Sequence, residues 1–156
     1  MTVTNINKVI LLSKDKKKLL TDLLKLTKKQ KDLIDNDNLD DLGIVLEDKE
    51  NIMNKVDIID KDFLGLYNTI KSEEGIDSFD KIDVRKFDNV KTLKDIVEDV
   101  NNILNEISAL DNENTRKMKS NIDKIKLDIK QVKEGKKAYK GYNYESSVSM
   151  LIDEKK

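Results

Sequence analysis

Asn36, Asn38, Asp40 and Glu47 stand at positions 1, 3, 5 and 12 of the run NDNLDDLGIVLE. A calcium loop of the EF-hand type places oxygen ligands at those positions. The match fails where the chemistry is strictest. Position 1 wants Asp and holds Asn36, while position 6 wants the Gly of a sharp turn and holds Asp41. Leu42, Ile44 and Val45 carry a helical apolar pattern through the run, so a helix-capping turn explains it better. The acid pairs Asp40–Asp41 and Glu73–Glu74 lack the apolar pocket that would raise a carboxyl pKa for acid catalysis. Cys, His, Pro and Trp are absent. That excludes disulfides, Cys or His metal sites, a Cys nucleophile and a Ser-His-Asp triad. No P-loop, Gly-rich dinucleotide turn or zincin motif occurs either. No catalytic residue, metal site or cofactor is expected, and an enzyme is not.

Recognition chemistry is better represented. Residues 135–156 read GKKAYKGYNYESSVSMLIDEKK and hold three of the four tyrosines, Tyr139, Tyr142 and Tyr144. Val148, Met150, Leu151 and Ile152 follow as an apolar cluster. Gly135 and Gly141 are expected to end helical continuity, leaving 136–156 as a flexible tail. Tyrosines give large contact area at low entropy cost, which suits binding a partner. Folding back onto the chain's own helix is the alternative.

The elements that must position these residues are long helices. In the first segment Val9, Leu12, Leu19, Leu23, Leu26 and Leu33 follow an alternating 3-4 spacing, with Lys16 and Gln30 in the missing places. Ile6, Ile10, Leu20, Leu24 and Ile34 form a second seam beside it. Two adjoining seams suit a helix that touches two neighbours. Asn36-Asp37-Asn38 breaks the pattern, and Asn38 can cap a second helix whose first turn holds Asp40 and Asp41. That helix carries Leu39, Leu42, Val45, Ile52, Val56, Ile59, Phe63, Leu66 and Ile70, with Lys49 as the polar exception. Segment 72–81 reads as a loop. A third pattern runs from about Ile82 to Leu110 and resumes at Met118, Ile122, Ile125, Ile129 and Val132. Steps of 4 and 4 from Leu110 through Asn114 to Met118 form a stutter, which locally unwinds a coiled coil.

These patterns predict an all-α fold: an antiparallel three-helix bundle or coiled coil with helices at about 3–35, 39–71 and 82–134. A bundle domain over 1–135 would precede the tail. Two helices of about 33 residues would be about 50 Å long and the third about 75 Å. The third would then run out of partners near residue 115 and project by about 28 Å. Met118, Ile122, Ile125, Ile129 and Val132 would form an interaction seam on that part, unless bent helices or a homodimer cover it.

Charge sharpens the picture. The chain has 156 residues, 39% of them charged, and a net charge of −1. Residues 1–34 carry +6, residues 35–62 carry −7, and residues 115–140 carry +7. A positive first helix beside a negative second favours their antiparallel pairing, by tenths of a kcal/mol per exposed pair. The basic stretch at 115–140 coincides with the projecting seam. Nucleic-acid binding is not expected, since only Arg116 there offers a bidentate fork and no aromatics interleave with the lysines. The apolar run Val9–Leu12 has its lysines after it, the reverse of a secretory signal, and no stretch is long enough to span a membrane. A cytoplasmic protein without stable membrane insertion is the expectation.

Several blocks together resemble a known family. They are the Leu-rich first helix, NLDDLGIVLEDKENIMNKVDIIDKDF (38–63), LDNEN (110–114), GKKAYKGYN (135–143) and LIDEKK (151–156). The chain resembles the FlgN-like flagellar type III export chaperones. Glu47 and Lys49 resemble the family's Glu and Lys beside apolar positions, and Asn114 resembles an Asn of its last helix. The resemblance implies a cytoplasmic chaperone that binds the C-terminal helices of hook-associated (hook–filament junction) proteins. It would prevent their premature assembly and deliver them to the flagellar export gate. It also implies that a Tyr just past the last helix serves the gate or the substrate, with Tyr142 the best match and Tyr139 next. The partner site is therefore expected on Met118, Ile122, Ile125, Ile129, Val132, Tyr139, Tyr142, Tyr144, Met150, Leu151 and Ile152. A self-assembling coiled-coil structural or adaptor protein is the competing account.

Overall fold

A computed structural model describes residues 2–143, and the side chains of these apart from Phe79 and residues 138–143. Three helices, α1 (Thr2–Asp35), α2 (Leu39–Glu74) and α3 (Asn89–Asn143), make up nearly all of it. A single 3-10 turn, Phe79–Lys81, lies between α2 and α3, and no strand occurs among the described residues. The chain divides into two compact units, Met1–Asn114 and Thr115–Lys156. The division falls inside α3, at the residue where the 3-4 spacing stutters.

In the first unit consecutive helices run antiparallel. Thr2 Oγ1 donates to Glu74 at 2.8 Å, with Glu73 3.0 Å away, at one end of the α1–α2 pair, Lys16 meets Asp60 in the middle, and Lys49 donates to Gln30 near the other end. Lys86–Glu74 and Lys49–Asp111 tie α2 to the far side in the same sense. α3 is parallel to α1. Asn89 Nδ2 donates to Asn7 Oδ1 at 2.7 Å, and Lys17 pairs with Asp99 at 2.9 Å. Both pairs are 82 residues apart in sequence, so the register does not slip between them. Charge works differently from the expectation based on helix totals. Lys17, Lys28 and Lys31 of α1 pair with Asp99, Glu106 and Glu113 of α3, while Lys16 alone of these lysines pairs with α2. These pairs are largely exposed and contribute tenths of a kcal/mol each.

The core line of α1 lies between the two seams that its leucines outline. Ile6, Val9, Ser13, Leu20, Leu23, Thr27 and Ile34 are buried. With Lys16 and Gln30 they make an unbroken 3-4 series. Leu12, Leu19, Leu24 and Leu26 are half-buried beside it, and Leu11 is exposed. The physical reason is that a helix wedged between two neighbours buries most deeply the line that faces both. On α2 the periodic positions from Leu42 to Ile70 face the core, but Leu39 is 65% exposed.

Polar side chains on that central line are paired across helices. Lys49, 7% exposed, donates at 2.7 Å to both Gln30 Oε1 and Asp111 Oδ1. Nearby, Asn114 Nδ2 donates to the Thr27 carbonyl at 3.2 Å, and Thr27 Oγ1 donates to the Leu23 carbonyl. Asn114 is 2% exposed and Thr27 fully buried. All three helices thus contribute to one buried polar layer near the end of the first unit. Buried polar groups without partners would cost about 1–3 kcal/mol each, so the layer tolerates one register.

Helix ends follow local rules. The Asn38 side chain accepts from the Asp41 backbone N–H, and Asp40 and Asp41 lie in the first turn of α2. The run resembling a calcium loop is therefore the α1–α2 turn and the start of α2. α2 extends three residues beyond the expected end to Glu74 and closes at Gly75, which is left-handed (φ 62°). Ile76 N–H then bonds back to the Lys71 carbonyl, and Ile76 packs on the core. A Cβ at Gly75 would meet nothing within 4 Å, so only backbone strain opposes it. Gly75→Ala is expected to destabilise by about 1–2 kcal/mol, lowering the melting temperature by roughly 2–6 °C with an otherwise unchanged circular-dichroism spectrum.

α3 starts at Asn89, not near Ile82. Ile82 and Phe87 still reach the core, but from a connecting segment. Asp83 redirects the chain there: its carboxylate accepts from the Arg85 N–H, and its carbonyl from Lys86 and Phe87. An Asx turn competes successfully with a helix start at that point. At its other end α3 continues through Gly135 and Gly141 to Asn143. Each Gly costs about 1 kcal/mol in a helix, which the surrounding Lys, Glu, Gln and Ala absorb. Close by the α1 N-terminus, the Thr2 hydroxyl and then Lys86 hold the Glu74 carboxyl below its ordinary pKa.

Candidate docking surface

The second unit presents its apolar residues to the outside. Ile122 is 45% exposed, Ile125 56%, Ile129 49% and Val132 51%, while Met118 is half-buried. The same 3-4 spacing in the first unit gives Val100 and Ile107, each 6% exposed. Equal periodicity therefore leads to opposite burial in the two units. From Met118 to Val132 the stripe is about 21 Å long, enough for three turns of a partner helix plus part of a fourth. Leu127, 54% exposed, points away from the stripe, and single exposed leucines are ordinary.

Lysines border the stripe on one side. With Ile122 and Ile129 at heptad position a and Ile125 and Val132 at d, Lys119, Lys126 and Lys133 all fall at e. Lys119 and Lys126 are exposed and Lys133 is half-buried. The g side has Asn121, Asp128 and Gly135. This one-sidedness was not seen in the segment's net charge, although the heptad lettering of the stripe contains it.

Of the other expected site residues, Tyr139 and Tyr142 belong to α3, where their side chains lie outside the described residues. Tyr144, Met150, Leu151 and Ile152 also lie outside the described residues. The remaining tyrosine, Tyr67, is part of a separate groove in the first unit with Phe63, Leu93 and Val97. Its ring stacks on Phe63 at 6.1 Å, and Lys71 Nζ sits 4.7 Å from its centroid. Spacing arguments passed over Tyr67, because Phe63 already accounted for that turn of α2 as core. No group of three or more potential metal-ligating side chains occurs among the described residues. Nor is any described helix long and apolar enough to cross a membrane.

The described part of the second unit is thus a helix with an exposed apolar stripe and a row of lysines along one edge. A family model described as FlgN protein matches residues 1–149 of the chain. No curated protein and no solved structure shows a significant match.

Proposed function

The chain belongs to the FlgN family of flagellar export chaperones, a chaperone family and not an enzyme family, and from that premise we propose that it binds hook-associated flagellar proteins. It would hold them unassembled in the cytoplasm and bring them to the export gate. The exposed stripe of Ile122, Ile125, Ile129 and Val132 carries this reading. An apolar row at helical spacing is what an amphipathic helix needs in order to dock.

Magnitudes set the kind of complex. Burying a Val or Ile side chain fully is worth about 1.5–3 kcal/mol, so burying the exposed half of four such residues gives roughly 3–6 kcal/mol. Lost translational and rotational freedom opposes that by about 4 kcal/mol or more. The stripe alone would bind weakly, as delivery and release require, and further contacts must add affinity. The Tyr-bearing segment with Tyr139, Tyr142 and Tyr144, and Met150, Leu151 and Ile152 beyond it, is the source we propose, with Tyr142 or Tyr139 also available to the gate.

The experiment is co-purification of a hook–filament junction protein from the same organism with the full chain and with a chain lacking 136–156. A stable complex with the full chain, weakened by the truncation, is expected. Equal binding by both would remove the tail from the site. No binding by either, together with a dimer whose mass does not depend on concentration, would favour a self-assembling adaptor.

A further inference from the structure

We infer that the stripe on 118–132 accepts an amphipathic helix whose apolar row is bordered by carboxylates on one side, with Lys119 and Lys126 selecting it. This rests on the docking role proposed above and adds the chemistry of the partner. Positions e and g flank a coiled-coil seam and set partner choice and orientation. Here the e row is Lys119, Lys126 and Lys133, and the g row offers a single carboxylate, Asp128.

A second copy of this chain answers that pattern poorly. Side by side in the antiparallel sense, e faces e and lysine meets lysine. In the parallel sense Lys126 faces Asn121 and Lys133 faces Asp128, so a single acid–lysine pair forms along the row. A helix with Glu or Asp along the facing row pairs with Lys119 and Lys126 and also covers the stripe. Like charges placed opposite one another supply the complementary discrimination, against basic helices. A phosphate backbone would use the lysines but leave Ile125 and Ile129 uncovered, so the stripe and the row together favour a protein helix over nucleic acid.

Two synthetic helices with identical Ile/Leu seams, one with Glu at every e and g and one with Lys there, test this against the full chain. The Glu peptide should bind at least about tenfold more tightly at low salt, with the preference shrinking as salt screens it. The double substitution Lys119→Glu with Lys126→Glu should reverse the preference, and its circular-dichroism melt should match the parent. Equal binding of the two peptides, or a preference that survives the substitution, overturns the inference. So does a concentration-dependent dimer of the chain alone that Ile125→Asp and Ile129→Asp dissolve, or DNA binding that outcompetes the Glu peptide. A hook-associated protein measured alongside separates the two levels. If it binds the parent and the lysine variant equally, the carboxylate requirement falls and the chaperone reading stands. If it does not bind while the Glu peptide does, the chaperone reading falls and the selectivity stands.

Discussion

Ile125→Asp combined with Ile129→Asp is expected to abolish binding of the proposed client while leaving the helical melt nearly intact. In the free protein both side chains are about half exposed, at 56% and 49%, so a carboxylate at either place remains hydrated. What the pair loses there is helix propensity, about 0.5 kcal/mol per residue, and tenths more from like charges four residues apart. In a complex the same carboxylates would lie in an apolar seam. Burying each without a partner costs several kcal/mol, so two weaken binding by at least about 100-fold. Titration calorimetry with a hook-associated protein reads the loss, and a thermal melt followed by circular dichroism reads the fold. Collapse of the helical signal at 25 °C would identify the stripe as core and dispose of the docking surface.

Lys49 gives the second large effect, on stability. Lys49→Ala removes two 2.7 Å hydrogen bonds from a position 7% exposed and leaves Gln30 and Asp111 facing the gap. Asp111 keeps 44% of its side chain in solvent and can rehydrate, so the loss is discounted to about 1–3 kcal/mol. A fall in melting temperature of roughly 3–10 °C should follow. Lys49→Met retains the stem's packing while removing the charge. Asp111 and Gln30 nonetheless lose their donor as in the Ala variant, so Lys49→Met should melt between Lys49→Ala and the parent. A melt as low as that of Lys49→Ala would mean that the ammonium contributes net stability rather than register alone.

The helices were legible in the sequence because apolar spacing at 3 and 4 survives in each of them and no proline interrupts it. The α1–α2 turn was legible because Asn38, Asp40 and Asp41 are residue types whose preferences are local. Other features depended on competition between local signals. Ile82 and Phe87 continue the apolar period, but Asp83 captures the backbone N–H of Arg85 and holds the segment out of α3. Gly135 and Gly141 look like stops, yet a Gly in a lysine-rich helix weakens it without ending it.

Residue types and their order, read alone, determined the helical class, the polar breaks at Lys16, Gln30 and Lys49, and the stutter at Asn114. They also contained the candidate stripe at Met118, Ile122, Ile125, Ile129 and Val132. Only the tertiary structure decided what those features mean. Lys49 is a buried bridge because Gln30 comes from one helix and Asp111 from another, a meeting that no spacing within α2 can express. Val100 is buried and Ile129 exposed on the same helix with the same period. Periodicity specifies which side chains share a face, but burial depends on what packs against that face.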